Sequence, residues 1–306
     1  MNQHEKKGIM YAGACYLLWG VFPIYWKWLE HVAADEILAN RILWSFVFMV
    51  IFLLVTSKWR QLKSTVQVLI RQPKQIFALI AASLLISGNW FMFIWAVNSE
   101  RVIETSLGYY INPLMSVLLG VFILRESLSK VQIFSFFLAG AGVLILAISY
   151  GHFPWVSLTL AVTFGLYGLA KKLIKLDASV GLTLETLVVS PLALGYLFYL
   201  LQDGRLSLFS GSASTDLLLI SGGMVTAIPL LLFAHGAQRI PLYMIGILQY
   251  ITPTMTHILG VLVYHEPFSL VKLGAFACIW CALLIFSLSQ TKRFQNVFHR
   301  KQDKIA

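Results

Sequence analysis

An internal repeat constrains the fold of this chain more than any other feature of its sequence. Residues 110–131 return 140 positions later as residues 250–271, and ten of the 22 aligned positions are identical. The shared residues include one proline in each copy, Pro113 and Pro253. A repeat of this length indicates one structural unit that occurs twice, so the fold is expected to consist of two related halves.

Long apolar runs fill most of both halves. The chain is 58% hydrophobic and only 12% charged, whereas soluble proteins carry about 25% charged residues. Ten runs are long enough to cross roughly 30 Å of hydrocarbon, where helices satisfy their own backbone hydrogen bonds. We therefore predict an all-α integral membrane protein with ten transmembrane helices, at residues 8–28, 34–56, 75–98, 103–124, 129–149, 154–172, 179–201, 215–236, 242–264 and 269–289.

The positive charges predict the orientation of the chain in the bilayer. Eighteen Lys and Arg residues lie on one set of loops and ends, and four lie on the opposite set. Since cytoplasmic loops are the ones enriched in Lys and Arg, both termini are expected in the cytoplasm. The net charge of +10 would suggest nucleic-acid binding in a soluble protein. Here the cations occupy short loops between apolar runs, so we predict a lipid bilayer and no nucleic acid as the partner.

The helix count makes the two halves inverted relative to each other. The first repeat spans residues 8–149, the second spans residues 154–289, and a basic cytoplasmic tail covers residues 290–306. Each repeat holds five helices, an odd number, so the second enters the membrane in the opposite direction. Inverted repeats of this kind are a transporter architecture with the binding site near the midplane. The connection between Lys58 and Lys74 has helical apolar spacing, which fits either an amphipathic surface helix or a solvated loop.

Several segments of the chain resemble one known transporter family. They are KGIMYAGACYLLWGVFPIYWKWLEHV, ILANRILWSFVF, GNWFMFIWAVNSERVIETSLGYYINPL, FGLYGLAKK, GLTLETLVVSPLAL and GILQYITPT. In this order and spacing they are similar to the RarD group of the EamA family, in the drug/metabolite transporter superfamily. The resemblance implies a ten-helix permease with two EamA repeats in the bacterial cytoplasmic membrane. It also implies transport of a small metabolite or drug, for which we expect export by alternating access.

The two prolines point to candidate substrate-binding residues in the fourth and ninth helices. Proline lacks an N–H and kinks a helix, which frees the carbonyl four residues before it. The polar and aromatic residues beside these kinks are Tyr110, Asn112, Gln249 and Tyr250. They could line a transport cavity, or they could be satisfied by neighbouring helices and only shape the bundle.

Other candidates lie in the middle of the first and third helices. Asn89 and Trp90 combine an amide with an indole that offers a flat face and a donor. Trp19 lies just before Pro23 in the first helix. We predict substrate contact for these three residues, with hydrogen bonding or packing between helices as the alternative.

Three ionisable residues lie deep in apolar runs. Arg41, Glu185 and His257 are functional candidates because charge in hydrocarbon is costly. Arg41 could be a functional charge within the membrane, or its side chain could extend to the outer headgroups. Glu185 could be a protonatable coupling carboxylate or a structural one. His257 could take part in proton coupling or could be a neutral packed residue, and the coupling ion stays open.

Glu126 and Glu266 are repeated without change, each three residues before a serine that begins the next helix. We predict that the serine caps that helix and that the glutamate favours the same N-terminus. The sequence contains no catalytic triad, metalloprotease motif or phosphate-binding loop, so we predict no enzymatic activity and no cofactor. The competing class is a membrane receptor or sensor built on a transporter fold.

Overall fold

The fold was analysed in a computed structural model that describes residues 3–99, 101–174, 176–263 and 270–289. These residues form twelve helices and no strands. The helices are α1 (Gln3–Lys27), α2 (Ala34–Val55), α3 (Trp59–Ile70), α4 (Pro73–Asn98), α5 (Val102–Phe122), α6 (Lys130–Tyr150), α7 (Trp155–Leu173), α8 (Ala178–Gln202), α9 (Ala213–Ala237), α10 (Leu242–Gln249), α11 (Ile251–Leu262) and α12 (Leu270–Ser289).

Eight of these helices are long and apolar enough to cross a membrane. They are α1, α2 and α4 to α9, and they match the first eight predicted runs to within a few residues. The ninth run is divided into α10 and α11, of 8 and 12 residues. The described apolar part of the tenth, Leu273–Ser289, falls just short of the length required.

The two proline-containing helices behave differently. The ninth run breaks at Tyr250, three residues before Pro253, because the proline cannot donate a hydrogen bond to the Gln249 carbonyl. The predicted kink in the fourth run does not interrupt its helix, since α5 continues through Pro113. The two copies of the repeat therefore differ in structure around the proline that they share.

The connection after α2 is a helix rather than a solvated loop. Its apolar residues Leu62, Val66 and Leu69 pack against residues of α2, α4 and α8. Leu69 is 5% exposed. The amphipathic pattern was therefore a correct indication of a helix, whose apolar side covers the bundle.

The helices of the bundle pack in a small number of extended pairs. The helix α6 lies along α12, α5 lies along α7 and α10, and α2 lies along α8 and α9. The helix α1 lies along α9 and α11, and α4 lies along α7 and α8. Small residues allow the closest approaches: a Cβ atom added at Gly223 would lie 2.2 Å from the Trp44 carbonyl carbon, and one at Gly246 would lie 2.6 Å from the Pro113 oxygen.

The helix ends show one prediction confirmed and one wrong. Ser129 caps α6, as predicted, and the structure adds a capping box with Gln132. Glu126 does not serve that N-terminus: its carboxylate accepts hydrogen bonds from the backbone N–H groups of Leu242 and Tyr243 at 2.8 and 2.9 Å. It therefore caps α10 in the other half of the chain. Glu266 and Ser269 lie outside the described residues.

Candidate functional site

A small cavity of about 20 Å³ lies where five helices meet, in the middle of the bundle. This is room for about one water molecule. Polar side chains from α2, α4, α7 and α8 interrupt its apolar wall. Its lining consists of Ile42, Ser45, Ile86, Ser87, Trp90, Tyr167, Leu182, Glu185, Thr186, Val189 and Leu230.

One wall of the cavity carries a buried ion pair. The Lys171 ammonium lies 2.7 Å from the Glu185 carboxylate, and their side chains are 4% and 3% exposed. The Tyr167 hydroxyl donates to the second oxygen of Glu185 at 3.3 Å. Lys171 and Tyr167 are four residues apart on α7, so they share one face of that helix. The carboxylate is therefore held by two groups from a single neighbouring helix.

Sequence reasoning missed Lys171 as a site residue. It follows a long apolar run and precedes Lys172, so it was grouped with the loop cations that set orientation. The spacing from Tyr167 is the signal that places it on the inward face. Lys172, its neighbour, points away and pairs with Glu126 at 3.3 Å.

The Arg41 guanidinium lies between helices beside Trp90 and is not among the residues that line the cavity. Its central carbon is 4.5 Å from the Trp26 ring centre and 5.0 Å from that of Trp90. Its Nε donates to the Thr226 hydroxyl at 3.0 Å. Partners on α1, α4 and α9 thus surround this charge within the bundle. Arg41 and Glu185 form no ion pair with each other in the described part of the chain.

Trp19 and Asn89 make contacts between helices. The Asn89 amide donates to the Leu160 carbonyl at 2.9 Å and to the Thr163 hydroxyl at 2.8 Å, both on α7. The Trp19 ring lies 5.9 Å from Phe164 and 6.0 Å from Phe233. Such contacts fit the alternative in which these residues bond and pack between helices instead of binding substrate. Of Trp19, Asn89 and Trp90, only Trp90 lines the cavity.

The residues beside the prolines do not line this cavity and lie where α5, α10, α11 and α12 approach one another. The rings of Tyr110 and His257 lie 5.3 and 4.0 Å from Phe276 of α12. Gln249 accepts a hydrogen bond from Ser116 at 3.3 Å. The candidates therefore separate: Trp90 and Glu185 line the cavity, and Arg41 lies against Trp90. Trp19 and Asn89 contact neighbouring helices, and the proline-side residues lie at this second interface.

Two of the proline-side residues contain buried polar atoms whose bonding is incomplete. Asn112 and Tyr250 are 3% and 0% exposed. Within the described residues, the Asn112 side-chain oxygen and the Tyr250 hydroxyl have no hydrogen-bond partner. A buried polar atom in this state costs about 1–3 kcal/mol.

A charged contact at one end of the bundle fixes the start of the helix that carries Glu185. Asp177 caps α8 by accepting from the Ser179 and Val180 N–H groups, and it pairs with Lys58 at 2.9 Å. Burial alone would raise the pKa of this carboxyl. The hydrogen bonds from Ser179, Lys58 and Val180 outweigh burial and lower the pKa to about 2.

Comparison with known proteins gives concordant matches over nearly the whole chain. Residues 6–148 match the EamA-like transporter family. An uncharacterized transporter of Bacillus subtilis, YojE, is 50% identical over 95% of this chain and 97% of its own. Protein RarD of Escherichia coli is 41% identical over 93% and 95%. The chloramphenicol-sensitive protein RarD of Pseudomonas aeruginosa is 30% identical over 91% and 93%.

One solved crystal structure has the same fold. It is 17% identical in sequence and superposes with a TM-score of 0.72, over 94% of this chain and 99% of that chain. The apolar helices and these relatives together define a multi-pass membrane protein of the transporter class. The chain belongs to the EamA-like transporter family, as a RarD-type member.

Proposed function

We propose that this protein is a secondary-active permease that exports a small organic metabolite or drug across the bacterial cytoplasmic membrane by alternating access. The observation that carries the proposal is the cavity between the helices, which is lined by Glu185 of the buried Lys171–Glu185 pair and by Trp90, the ring that Arg41 contacts. Ionisable groups inside a membrane bundle mark substrate and ion pathways. A cavity of about 20 Å³ is too small for a metabolite, so substrate entry requires the helices to separate.

The helix pairs support two inverted repeats of five helices. Under the proposed symmetry, α1, α2, α4 and α6 correspond to α7, α8, α9 and α12, while α5 corresponds to α10 with α11. This symmetry relates the contact between α1 and α9 to the contact between α7 and α4. It also relates the contact between α5 and α7 to the contact between α11 and α1. All four contacts exist. This pairing and the excess of Lys and Arg on one side support ten spans with both termini in the cytoplasm.

The buried ion pair supports coupling to protons. If Glu185 took up a proton, its attraction to Lys171 would end, and a buried lysine would lose its counter-ion. Such an uncompensated charge costs several kcal/mol. Protonation would therefore favour a conformation that exposes this wall of the cavity. This is a two-state element whose equilibrium a proton gradient can bias.

The test compares intracellular and exported metabolites in strains that lack or overproduce the protein. We expect overproduction to raise the external level of specific small organic solutes, and Glu185→Gln to abolish that change. Reconstituted vesicles, loaded with those solutes, should release them when a proton gradient is imposed. A ligand that binds while no solute crosses under any ion gradient would instead indicate a receptor or sensor and would refute the permease.

A further inference from the structure

We propose that Arg41 is the substrate's anion-binding group, and that the substrate is a small organic acid with a flat unsaturated ring. The acid group would bind the guanidinium, and the ring would pack beside Trp26 and Trp90. This inference rests on the proposed function, since it names the class of solute that the permease carries.

Arg41 lacks a counter-charge among the described residues. A guanidinium has five N–H donors, and within the described residues Arg41 makes one hydrogen bond, from Nε to Thr226, beside its contacts with the two indole rings. No carboxylate of the described residues pairs with it. An intramembrane charge without a counter-ion is costly, and an anionic ligand supplies the counter-ion.

A second arginine of the chain shows what a structural arginine looks like here. Arg101 also lies near two tryptophans, with its central carbon 5.8 Å from the Trp95 ring centre and 5.5 Å from that of Trp155. Unlike Arg41, it forms an ion pair, with Glu104 at 3.1 Å. The two arginines share an aromatic setting and differ in whether a carboxylate is present.

The surroundings of Arg41 are neutral, aromatic and partly open. The nearby Tyr25 hydroxyl is already engaged with Ser221 at 2.9 Å and with the Leu218 carbonyl. Tyr109 lies within electrostatic range of Arg41, yet 42% of it is exposed. Arg41 and Tyr109 each lie seven residues after the first residue of their helix, which is a depth of about 10 Å at 1.5 Å per residue. Arg41 itself is only half-buried, so the described residues leave part of its surface uncovered.

The chemistry then selects among ligand classes. A cation would be repelled by Arg41, and a neutral molecule would leave its charge unpaired. A carboxylate or phosphate accepts two parallel hydrogen bonds from a guanidinium, the geometry for which arginine is suited. Indole rings at 4.5 and 5.0 Å from the same atom provide faces against which a flat ring can stack. Together these contacts favour an aromatic or heteroaromatic acid.

The binding test uses the purified full-length protein in neutral detergent with a pair of probes of equal shape. Indole-3-carboxylate should raise the midpoint of thermal unfolding, and indole-3-carboxamide should not. Arg41→Gln should weaken carboxylate binding by about tenfold to a hundredfold, the usual range for one charged hydrogen-bonded contact. Arg41→Lys should restore part of it, and Arg101→Gln should bind as the wild type does. Equal responses to both probes, no response to either, or an unchanged Arg41→Gln would overturn the proposal.

The transport test separates this inference from the function on which it rests. If the solutes exported on overproduction are organic anions and Arg41→Gln prevents their export, the inference holds. Neutral or cationic solutes would overturn the inference and leave the permease intact. The absence of any exported solute would refute the permease itself. A requirement for anionic lipid that Arg41→Gln removes would identify a lipid headgroup as the ligand and would also overturn the inference.

Discussion

Two ionisable side chains inside the bundle, Glu185 and Arg41, have opposite kinds of partners. Glu185 is satisfied by Lys171 at 2.7 Å and by Tyr167 at 3.3 Å. Arg41 has aromatic faces and one hydroxyl instead of a carboxylate. The first arrangement suits a proton-controlled contact, and the second suits the binding of an external anion.

Removal of one partner of the buried pair should destabilise the protein. Glu185→Gln leaves Lys171 buried without a counter-ion, which costs about 3–5 kcal/mol. The double variant Lys171→Met with Glu185→Leu should recover most of that loss, because no charge remains. Asp203→Asn, at an exposed pair with Arg205, should cost less than about 1 kcal/mol. Thermal unfolding in detergent measures all three, and a Glu185→Gln variant as stable as the wild type would contradict the account.

The Asp177 carboxyl should contribute to stability at neutral pH and lose that contribution in acid. Its pKa in the folded protein is lowered from 3.8 to about 2. Because the folded pKa lies below the unfolded one, the stabilisation is present above about pH 4 and is lost as pH falls toward 2. Asp177→Asn keeps the helix cap and removes the charge, so it should flatten this part of the stability curve. Identical curves for wild type and variant between pH 4 and pH 2 would disprove the assignment.

Sequence reasoning found residues whose type is unusual in lipid and missed those whose type is ordinary in a loop. Arg41 and Glu185 stood out because each interrupts an apolar run. Lys171 did not, since it lies at a helix end among other cations. Trp26 was missed for a similar reason, because tryptophans near helix ends are common at membrane interfaces. A partner's identity depends on which helix faces lie together, and spacing within one helix does not encode that.

At the scale of helices, local patterns predicted the elements well and their contacts poorly. The apolar runs placed eight membrane-length helices correctly, and Pro253 marked a real break. Pro113 did not break α5. Glu126 was assigned to the nearest helix start, but it caps α10, more than 110 residues away in sequence. A cap over such a distance requires knowledge of the tertiary arrangement.

The close packing of α6 on α12 should depend on one glycine and not on its neighbour. A Cβ atom at Gly142 would lie 2.6 Å from the Ala275 carbonyl oxygen, whereas one at Gly140 would meet nothing within 4 Å. Gly142→Ala must push the helices apart, at about 1–3 kcal/mol. Gly140→Ala on the same helix should be neutral or slightly stabilising, because alanine favours helix. Equal unfolding midpoints for the two variants would show that this contact does not hold the bundle together.

For the whole molecule, the proposed transport by alternating access requires the two halves to move, because the cavity between the helices is closed. Ser87, in the middle of α4, lines the cavity of about 20 Å³. A pathway wide enough for a metabolite would form only when the two halves rock. In alternating access the same position opens first to one side and then to the other. The exposure of one cavity residue to both sides is therefore the central claim.

That claim is tested by labelling Ser87→Cys, in a protein whose three cysteines are replaced, with a membrane-impermeant thiol reagent applied to right-side-out and inverted vesicles. In the proposed orientation, Ser64→Cys and Ser214→Cys, both exposed, report the cytoplasmic and the opposite side. Ser83→Cys, buried on the same helix and bonded to the Leu79 carbonyl, is the unlabelled control. We predict that Ser87→Cys is labelled from both sides. Labelling from one side only, or from neither, while the three controls behave as stated, would contradict alternating access.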